Sequence, residues 1–210
     1  MRTFGVLPVK SFGQAKQRLR DEVSPQLRAS LAEAMLCDVL DALGRSECVE
    51  AVVVVTAGAR ARELAVDRGA HVIGDRETGH NDAAALGVAA AIERGADRVL
   101  LVPGDCPALD PKELDELLRR PAVTPSVVIV PDRHRTGTNA LLLAPPEVMA
   151  PSFGPGSCAR HTELARARRV HYEVTEVPSL AFDVDTPEDL EAFPKLPDGA
   201  PRTLALLSQC

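Results

Sequence analysis

Four cations, Lys10, Lys16, Arg18 and Arg20, fall within the eleven residues KSFGQAKQRLR of a chain whose formal net charge is −6. Lysine offers a point charge and arginine a planar fork that holds two phosphate oxygens, so this segment can compensate a polyphosphate. A solvated basic loop is the plainer reading of the same residues. Carboxylates supply the complementary chemistry. Asp105 lies in a Gly104-Asp105-Cys106-Pro107 turn, as turn residue or as ligand. Asp183 and Asp185 lie in AFDVDTPEDL. Residues two apart in extended backbone point the same way, which puts both carboxylates on one face and turns Phe182 and Val184 inward. Helix capping is the rival role for Asp185, but Thr186-Pro187 with Asp189 at the third helical position already makes a cap. Two like charges repel unless a cation lies between them, and an all-oxygen pair suits Mg²⁺, which keeps positions open for phosphate oxygens.

A second anion-binding segment is suggested by DRHRTGTN (Asp132–Asn139) and by FGPGS (Phe153–Ser157), which leads into a helix. Backbone N–H groups at a helix start, opened by glycines, favour a phosphate or carboxylate. Thr138, Gly154 and Ser157 are the candidates, with Arg160 and His161 nearby; an ordinary loop with Ser157 as N-cap is the alternative. His134 and His161 lack metal-ligand spacing and read as plain polar contacts. Cys106 reads as a structural thiol, with no histidine close in sequence to activate it.

The elements that must position these residues alternate. Thr3–Val9 reads as a buried first strand, and Ser24-Pro25 opens a helix that runs to Gly44. Val49–Thr56 (VEAVVVVT) is a continuous β-branched strand. A helix near Ala59–Arg68, a short strand at His71–Ile73 and an Ala-rich helix to about Arg94 follow. Arg98–Pro103 is a further central strand, and Asp110, Pro111 and Glu113 have capping-box spacing. Val127–Val130 and Asn139–Leu143 read as two arms of a strand pair. A basic helix follows Ser157, strand character returns over Arg169–Val177, and Thr186-Pro187 starts a last helix.

Strand–helix alternation implies right-handed βαβ units, hence a single-domain α/β, Rossmann-like fold with a mostly parallel central sheet and an antiparallel element. Ligands of such sheets lie beyond the carboxyl ends of the strands. That rule gathers Lys10–Arg20, Gly104–Pro107 and the segment around Asp183 on one edge. The domain is expected over residues 1–193, with 194–210 an unassigned tail.

Bulk properties narrow the class. At 210 residues and 45% hydrophobic content, the chain buries enough surface for a core without disulfides or a structural metal. Aromatic content is 3%, so the core must be aliphatic. The acidic balance, with a pI of about 5.4, argues against nucleic acid and anionic lipid as partners. Cys37, Cys48, Cys106, Cys158 and Cys210 are scattered without a CxxC pair, as expected of reduced cytoplasmic thiols. Neither a secretory leader nor a membrane span is read from the sequence. The absence of GxxxxGK[ST] and GxGxxG weighs against a P-loop NTPase and a nicotinamide-dependent dehydrogenase.

Five segments in this order, PVKxxxxAKxRL (Pro8–Leu19), GDCPAL (Gly104–Leu109), DRHRTGTNAL (Asp132–Leu141), FGPGS (Phe153–Ser157) and DVDTPEDL (Asp183–Leu190), resemble one family over about residues 3–193. It is the 2-phospho-L-lactate/phosphoenolpyruvate guanylyltransferases of coenzyme F₄₂₀ biosynthesis. The resemblance implies a nucleotide-diphospho-sugar-transferase-like fold, with GTP as co-substrate and Mg²⁺ as cofactor. It also implies metal ligands at Asp105, Asp183 and Asp185, and phosphoenolpyruvate contacts at Thr138, Gly154 and Ser157. Lys10, Lys16 and Arg18 would then hold the triphosphate. The spacer SFGQ is less apolar than the family's pattern, and GHND (Gly79–Asp82) matches its base-binding region only in part.

The expected reaction joins GMP from GTP to the phosphate of phosphoenolpyruvate and releases pyrophosphate. 2-Phospho-L-lactate and 3-phosphoglycerate are the alternative acceptors. The expected partners are therefore small molecules, GTP and a phosphorylated three-carbon acid; a homodimer is compatible with the chain. A molybdopterin-type guanylyltransferase would start with a glycine-rich loop, which is missing here. A non-catalytic nucleotide-binding domain is the alternative from another class, and a redox enzyme stands further off.

Overall fold

Ser24 and Pro25 start the longest helix as their types dictate: the Ser24 side chain accepts from Leu27 N–H, and proline takes the first helical position. In the computed structural model, which describes residues 1–121, 123–193 and 199–208, the chain order is β1 (Thr3–Pro8), α1 (Pro25–Arg45), β2 (Ala51–Thr56), α2 (Ala59–Val66), β3 (His71–Gly74), α3 (His80–Glu93) and β4 (Arg98–Leu101). It continues with α4 (Pro111–Arg119), β5 (Ser126–Pro131), β6 (Thr138–Ala144), α5 (Ser157–Ala167), β7 (His171–Val174), α6 (Pro187–Ala192) and α7 (Pro201–Leu207).

The sheet runs β3-β2-β1-β4-β6-β5-β7. All its neighbouring pairs are parallel except those of β6, which runs against both β4 and β5. The expected strand pair around Asp132–Gly137 is thus present, and it supplies the single reversed strand. Helices cover both faces because successive strand residues point to opposite sides. Leu7, Val54 and Leu100 pack with Leu36, Leu43 and Leu117 of α1 and α4. Val6, Val53, Val55 and Leu101 pack with Ala84, Ala91 and Ala165 of α3 and α5. Burying each such aliphatic side chain is worth about 1.5–3 kcal/mol. Alanines let α3 lie close to the sheet, and Gly87 takes this furthest: a methyl there would overlap Val6.

A third apolar cluster matters most for the site. Leu19, Met35, Phe182, Val184 and Phe193 are buried together. Leu19 anchors the basic loop from below, while Phe182 and Val184 point inward on either side of Asp183, as the two-residue period requires. The last expected helix has the predicted capping box, in which Thr186 accepts from Asp189 N–H and the Asp189 carboxylate accepts from Thr186 N–H.

Two local expectations need correction, and one segment left open gains an assignment. Glu113 does not close a capping box on Asp110; its carboxylate accepts from Ser179 N–H at 2.9 Å, a partner 66 residues away. Asp110 caps α4 unaided, accepting from Lys112 N–H. Ser157 is the first residue of α5 and not its N-cap, which is Gly156 at φ +72°. Part of the tail, unassigned from sequence over 194–210, forms α7 against α1. There the Asp38 carboxylate accepts from Thr203 N–H at 2.9 Å and from its hydroxyl at 2.8 Å. Residues 194–198 and 209–210, Cys210 with them, lie outside the described residues; Cys37, Cys48, Cys106 and Cys158 are free.

Candidate active site

The loops after β1 and β4 and the segment before α6 meet at the carboxyl edge of the parallel strands, as the topology rule requires. They enclose a cavity of about 370 Å³, the size of a nucleotide-class ligand site. Its polar lining carries Lys10, Lys16, Arg18, Asp105 and Asp185, and its apolar lining Val9, Phe12, Met35 and Leu36. That division suits a ligand with a polyanionic head and a flat apolar body. A smaller cavity of about 80 Å³ adjoins it, lined by Asp105, Thr138, Asn139, Phe153 and Asp183. Asp105 and His80 belong to both walls.

The basic loop divides its charges. Lys16 is buried and reaches inward, with Nζ 2.6 Å from Asp105 Oδ2 and 2.8 Å from Asp185 Oδ1. Its backbone sits in the left-handed region at φ +53°, uncommon for a residue with a Cβ, and the two ion pairs help hold it there. Burial disfavours its charge, but the attraction of Asp105 and Asp185 outweighs burial and raises the ammonium pKa. Arg18 is mostly exposed and touches Asp185 at 3.6 Å. Lys10 lies on the rim, exposed toward the large cavity. Lys10 and Arg18 are therefore available to an incoming anion, whereas Lys16 is committed to carboxylates.

The acidic residues divide as well. Asp105 is fixed by its turn, and its backbone oxygen accepts from Val184 N–H at 3.2 Å, which ties the 183–185 segment to β4. Asp185 faces Lys16; burial opposes its charge, yet Lys16 lowers its pKa overall. Asp183 faces the small cavity and accepts from Asn139 Nδ2 at 3.2 Å. Burial, then the charges of Asp105 and Asp185, raise its pKa. Negative charge thus remains uncompensated at Asp183 after Lys16 is satisfied.

Among the described residues no three acidic, histidine or cysteine side chains already converge as a metal cluster. The donor chemistry fits Mg²⁺ nonetheless. Asp105 and Asp183 bring hard oxygens and excess negative charge to one cavity, and Mg²⁺ needs only one or two carboxylates beside water and phosphate oxygens.

Of the second anion segment, the structure brings Thr138 to the small cavity but neither Gly154 nor Ser157. The N–H groups that open α5 are engaged internally, Ser157 to Gly154 O and Cys158 to Thr136 O. Phe153 lines the cavity instead, held by Asn81, whose side chain both accepts from Phe153 N–H and donates to its carbonyl. His134 is exposed and, among the described residues, accepts from Arg133 Nε, a plain polar contact. Cys106 is fully buried; burial, then Asp105, raise its pKa, and its thiol donates to Leu180 O, so it is no nucleophile.

Sequence reasoning named the segments that hold His80, Asn81 and Asn139 but did not single these residues out. His80 also lines a third cavity with Lys10, Asp75 and Glu77. Desolvation, then the charge of Lys10, lowers its pKa and keeps it neutral. The signal was the polar pair His80-Asn81 opening an otherwise Ala-rich helix. For Asn139 it was an amide beside Thr138 at the turn-side end of a strand that is otherwise aliphatic.

A Rossmann-like sheet with a basic cavity and an acidic one sharing Asp105 defines a nucleotidyltransferase. The fold agrees with a Desulfovibrio desulfuricans G20 protein assigned to the nucleotide-diphospho-sugar transferases, with a TM-score of 0.79, 18% identity and coverage of 100% of this chain and 95% of that one. Residues 3–193 match the family model described as "Guanylyl transferase CofC like", and the chain belongs to that family. A relative from Conexibacter woesei, named phosphoenolpyruvate guanylyltransferase, is 49% identical over 215 residues, covering 100% of this chain and 96% of its own. Another from Phenylobacterium zucineum, named 3-phospho-D-glycerate guanylyltransferase, is 41% identical over 210 residues, covering 97% of this chain and 94% of its own. No helix among the described residues is long and apolar enough to cross a membrane.

Proposed function

We propose that this enzyme condenses GTP with phosphoenolpyruvate, giving enolpyruvoyl-2-diphospho-5′-guanosine and pyrophosphate. The observation that carries the reading is the shared Asp105 wall: a nucleotide-sized basic cavity and a small acid-lined one have it in common, which suits the meeting of two phosphate compounds at one edge of the sheet. A phosphate oxygen of the acid attacks the α-phosphorus, the bond from that phosphorus to the bridging oxygen breaks, and the electron pair leaves with pyrophosphate. No protein nucleophile takes part; the residues position the reactants and balance charge. Lys10 and Arg18 take the triphosphate. Lys16 holds Asp105 and Asp185 in place and adds its charge between the two cavities. Asp105 and Asp183, with Asp185 beside them, would hold Mg²⁺, which supplies Lewis-acid charge to phosphate oxygens. Thr138 contacts the acceptor, and Gly154 and Ser157 shape the loop that carries Phe153.

The relative named for 3-phospho-D-glycerate favours that acid as the second acceptor reading, and 2-phospho-L-lactate is the third. Cytoplasmic placement and a role in coenzyme F₄₂₀ assembly follow from the family resemblance. The test is pyrophosphate release from GTP, ATP or CTP with each acid in turn, with Mg²⁺ present. Release from GTP with phosphoenolpyruvate is expected. Turnover with 3-phospho-D-glycerate alone moves the acceptor, turnover with ATP or CTP alone overturns the base, and release with none of the acids overturns the reaction.

A further inference from the structure

His161 is fully buried, yet both of its ring nitrogens are engaged. The backbone N–H of Ser152 donates to Nε2 at 2.9 Å, so Nε2 carries no hydrogen. A neutral imidazole then has its hydrogen on Nδ1, which lies 3.0 Å from the Thr138 hydroxyl oxygen. The ring must therefore donate to Thr138. Burial, then the charge of Arg160, push the ring pKa down to about 4, which keeps it neutral at working pH. Arg160 also fixes Ser152 itself, donating from Nε and Nη2 to the Ser152 carbonyl. Phe153 packs edge-on against the ring, with centroids 5.2 Å apart, and closes it off from the cavity side.

A hydroxyl that accepts from His161 has its own hydrogen left to give. Thr138 makes no other side-chain hydrogen bond among the described residues, and it lines the small cavity. Its neighbour Asn139 has no such freedom, since Nδ2 donates to Leu180 O at 2.8 Å and to Asp183 Oδ1 at 3.2 Å. We propose that His161 is a positioning residue: it sets the Thr138 hydroxyl as a hydrogen-bond donor toward an anionic oxygen of the acceptor acid. The inference rests on reading the small cavity as the acceptor's place, and it explains why a histidine stands where no metal or proton transfer requires one. Its action is through Thr138, and it touches neither substrate.

Two measurements test it, one of them independent of turnover. The ring ¹⁵N spectrum of His161 in the wild-type chain should show a protonated Nδ1 and a bare Nε2 from pH 8 down to about 5; a protonated Nε2 overturns the proposal whatever the enzyme's substrate. The second is a cycle of Thr138→Val, His161→Gln and the double variant, with KM for the phospho-acid and for GTP read separately. A hydrogen bond to a charged oxygen is worth about 10-fold to 100-fold in affinity. Each single variant should raise the acid's KM by at least about 10-fold and leave that for GTP unchanged, and the double variant should be no worse than Thr138→Val alone. Losses that multiply in the double variant, or that fall equally on GTP, assign His161 a merely structural role and overturn the proposal. His161→Asn, which keeps a side-chain donor near the Nδ1 position, should recover most of the acid affinity lost in His161→Gln. A wild-type enzyme that turns over no phospho-acid refutes the functional reading, while the nitrogen spectrum still decides the hydrogen-bond direction.

Discussion

Replacing Lys16 by methionine keeps the length and apolar stem of a buried side chain and removes its charge from between two carboxylates. At separations of 2.6 and 2.8 Å from Asp105 and Asp185, each contact is worth about 6 kcal/mol of gross Coulomb energy at an effective dielectric of about 20. Desolvation of the ammonium offsets most of that, and breaking a fully buried pair typically costs about 3–5 kcal/mol. Here Asp105 and Asp185 remain 31% and 37% exposed, so water can cover part of the charge left behind, and about 2–3 kcal/mol is expected. Urea unfolding near pH 7, with equal slopes for both proteins, reads this as a shift in midpoint. The sign with pH follows from Asp185, whose folded pKa Lys16 lowers against the opposing effect of burial. That contribution is present above the ordinary carboxylate range and is lost as pH falls through it, so the gap between wild type and Lys16→Met should close below about pH 4. A gap that persists unchanged at pH 3, or one below about 0.5 kcal/mol at pH 7, refutes the electrostatic account of Lys16.

Asp183→Asn should cost at least about 100-fold in turnover while leaving the melting temperature equal or higher, because the fold disfavours the Asp183 charge; a variant with near wild-type pyrophosphate release removes Asp183 from the machinery. Gly87→Ala should destabilise by about 1–2 kcal/mol despite alanine's better helix propensity, since the added methyl meets Val6 and Val55; a raised unfolding midpoint would show that α3 can retreat from the sheet freely. His161, with a folded pKa near 4 against an ordinary 6.5, should contribute stability that is fully present above pH 6.5. About 3 kcal/mol of it is lost as pH falls to 4, because the unfolded chain takes up the proton first. His161→Gln should lack this slope in urea midpoints measured across that range.

Much of the frame was legible because its signals are local. Ser24-Pro25 and Thr186-Pro187-Asp189 specify helix starts through neighbours three residues apart, and the run VVVV of β2 admits little but a buried strand. The topology rule brought the loops bearing Lys10, Asp105 and Asp183 to one edge without any knowledge of strand order. What could not be read were choices among distant partners. Glu113 had a capping geometry available nearby and instead serves Ser179. Lys16 and Arg18 look alike in the sequence, yet the burial of Leu19 and the left-handed backbone at Lys16 turn one inward and leave the other outside. Gly154 and Ser157 sit in a motif that suggests an anion cradle, but the carbonyls of Gly154 and Thr136 take up the amides that open α5.

The reversed course of β6 separates the inheritance of the two half-sites. Because β6 enters the sheet from the opposite direction, Thr138 and Asn139 of the smaller cavity come from a strand's first residues, while Lys10, Lys16, Arg18 and Asp105 of the larger one come from loops that follow β1 and β4. With the smaller cavity taken as the acceptor's place, as proposed above, the hairpin over 132–139 and the loop over 152–157 can drift with the acid being consumed while the nucleotide half stays fixed. On that reading, a lineage of this architecture changes its acceptor by editing one hairpin and its neighbouring loop.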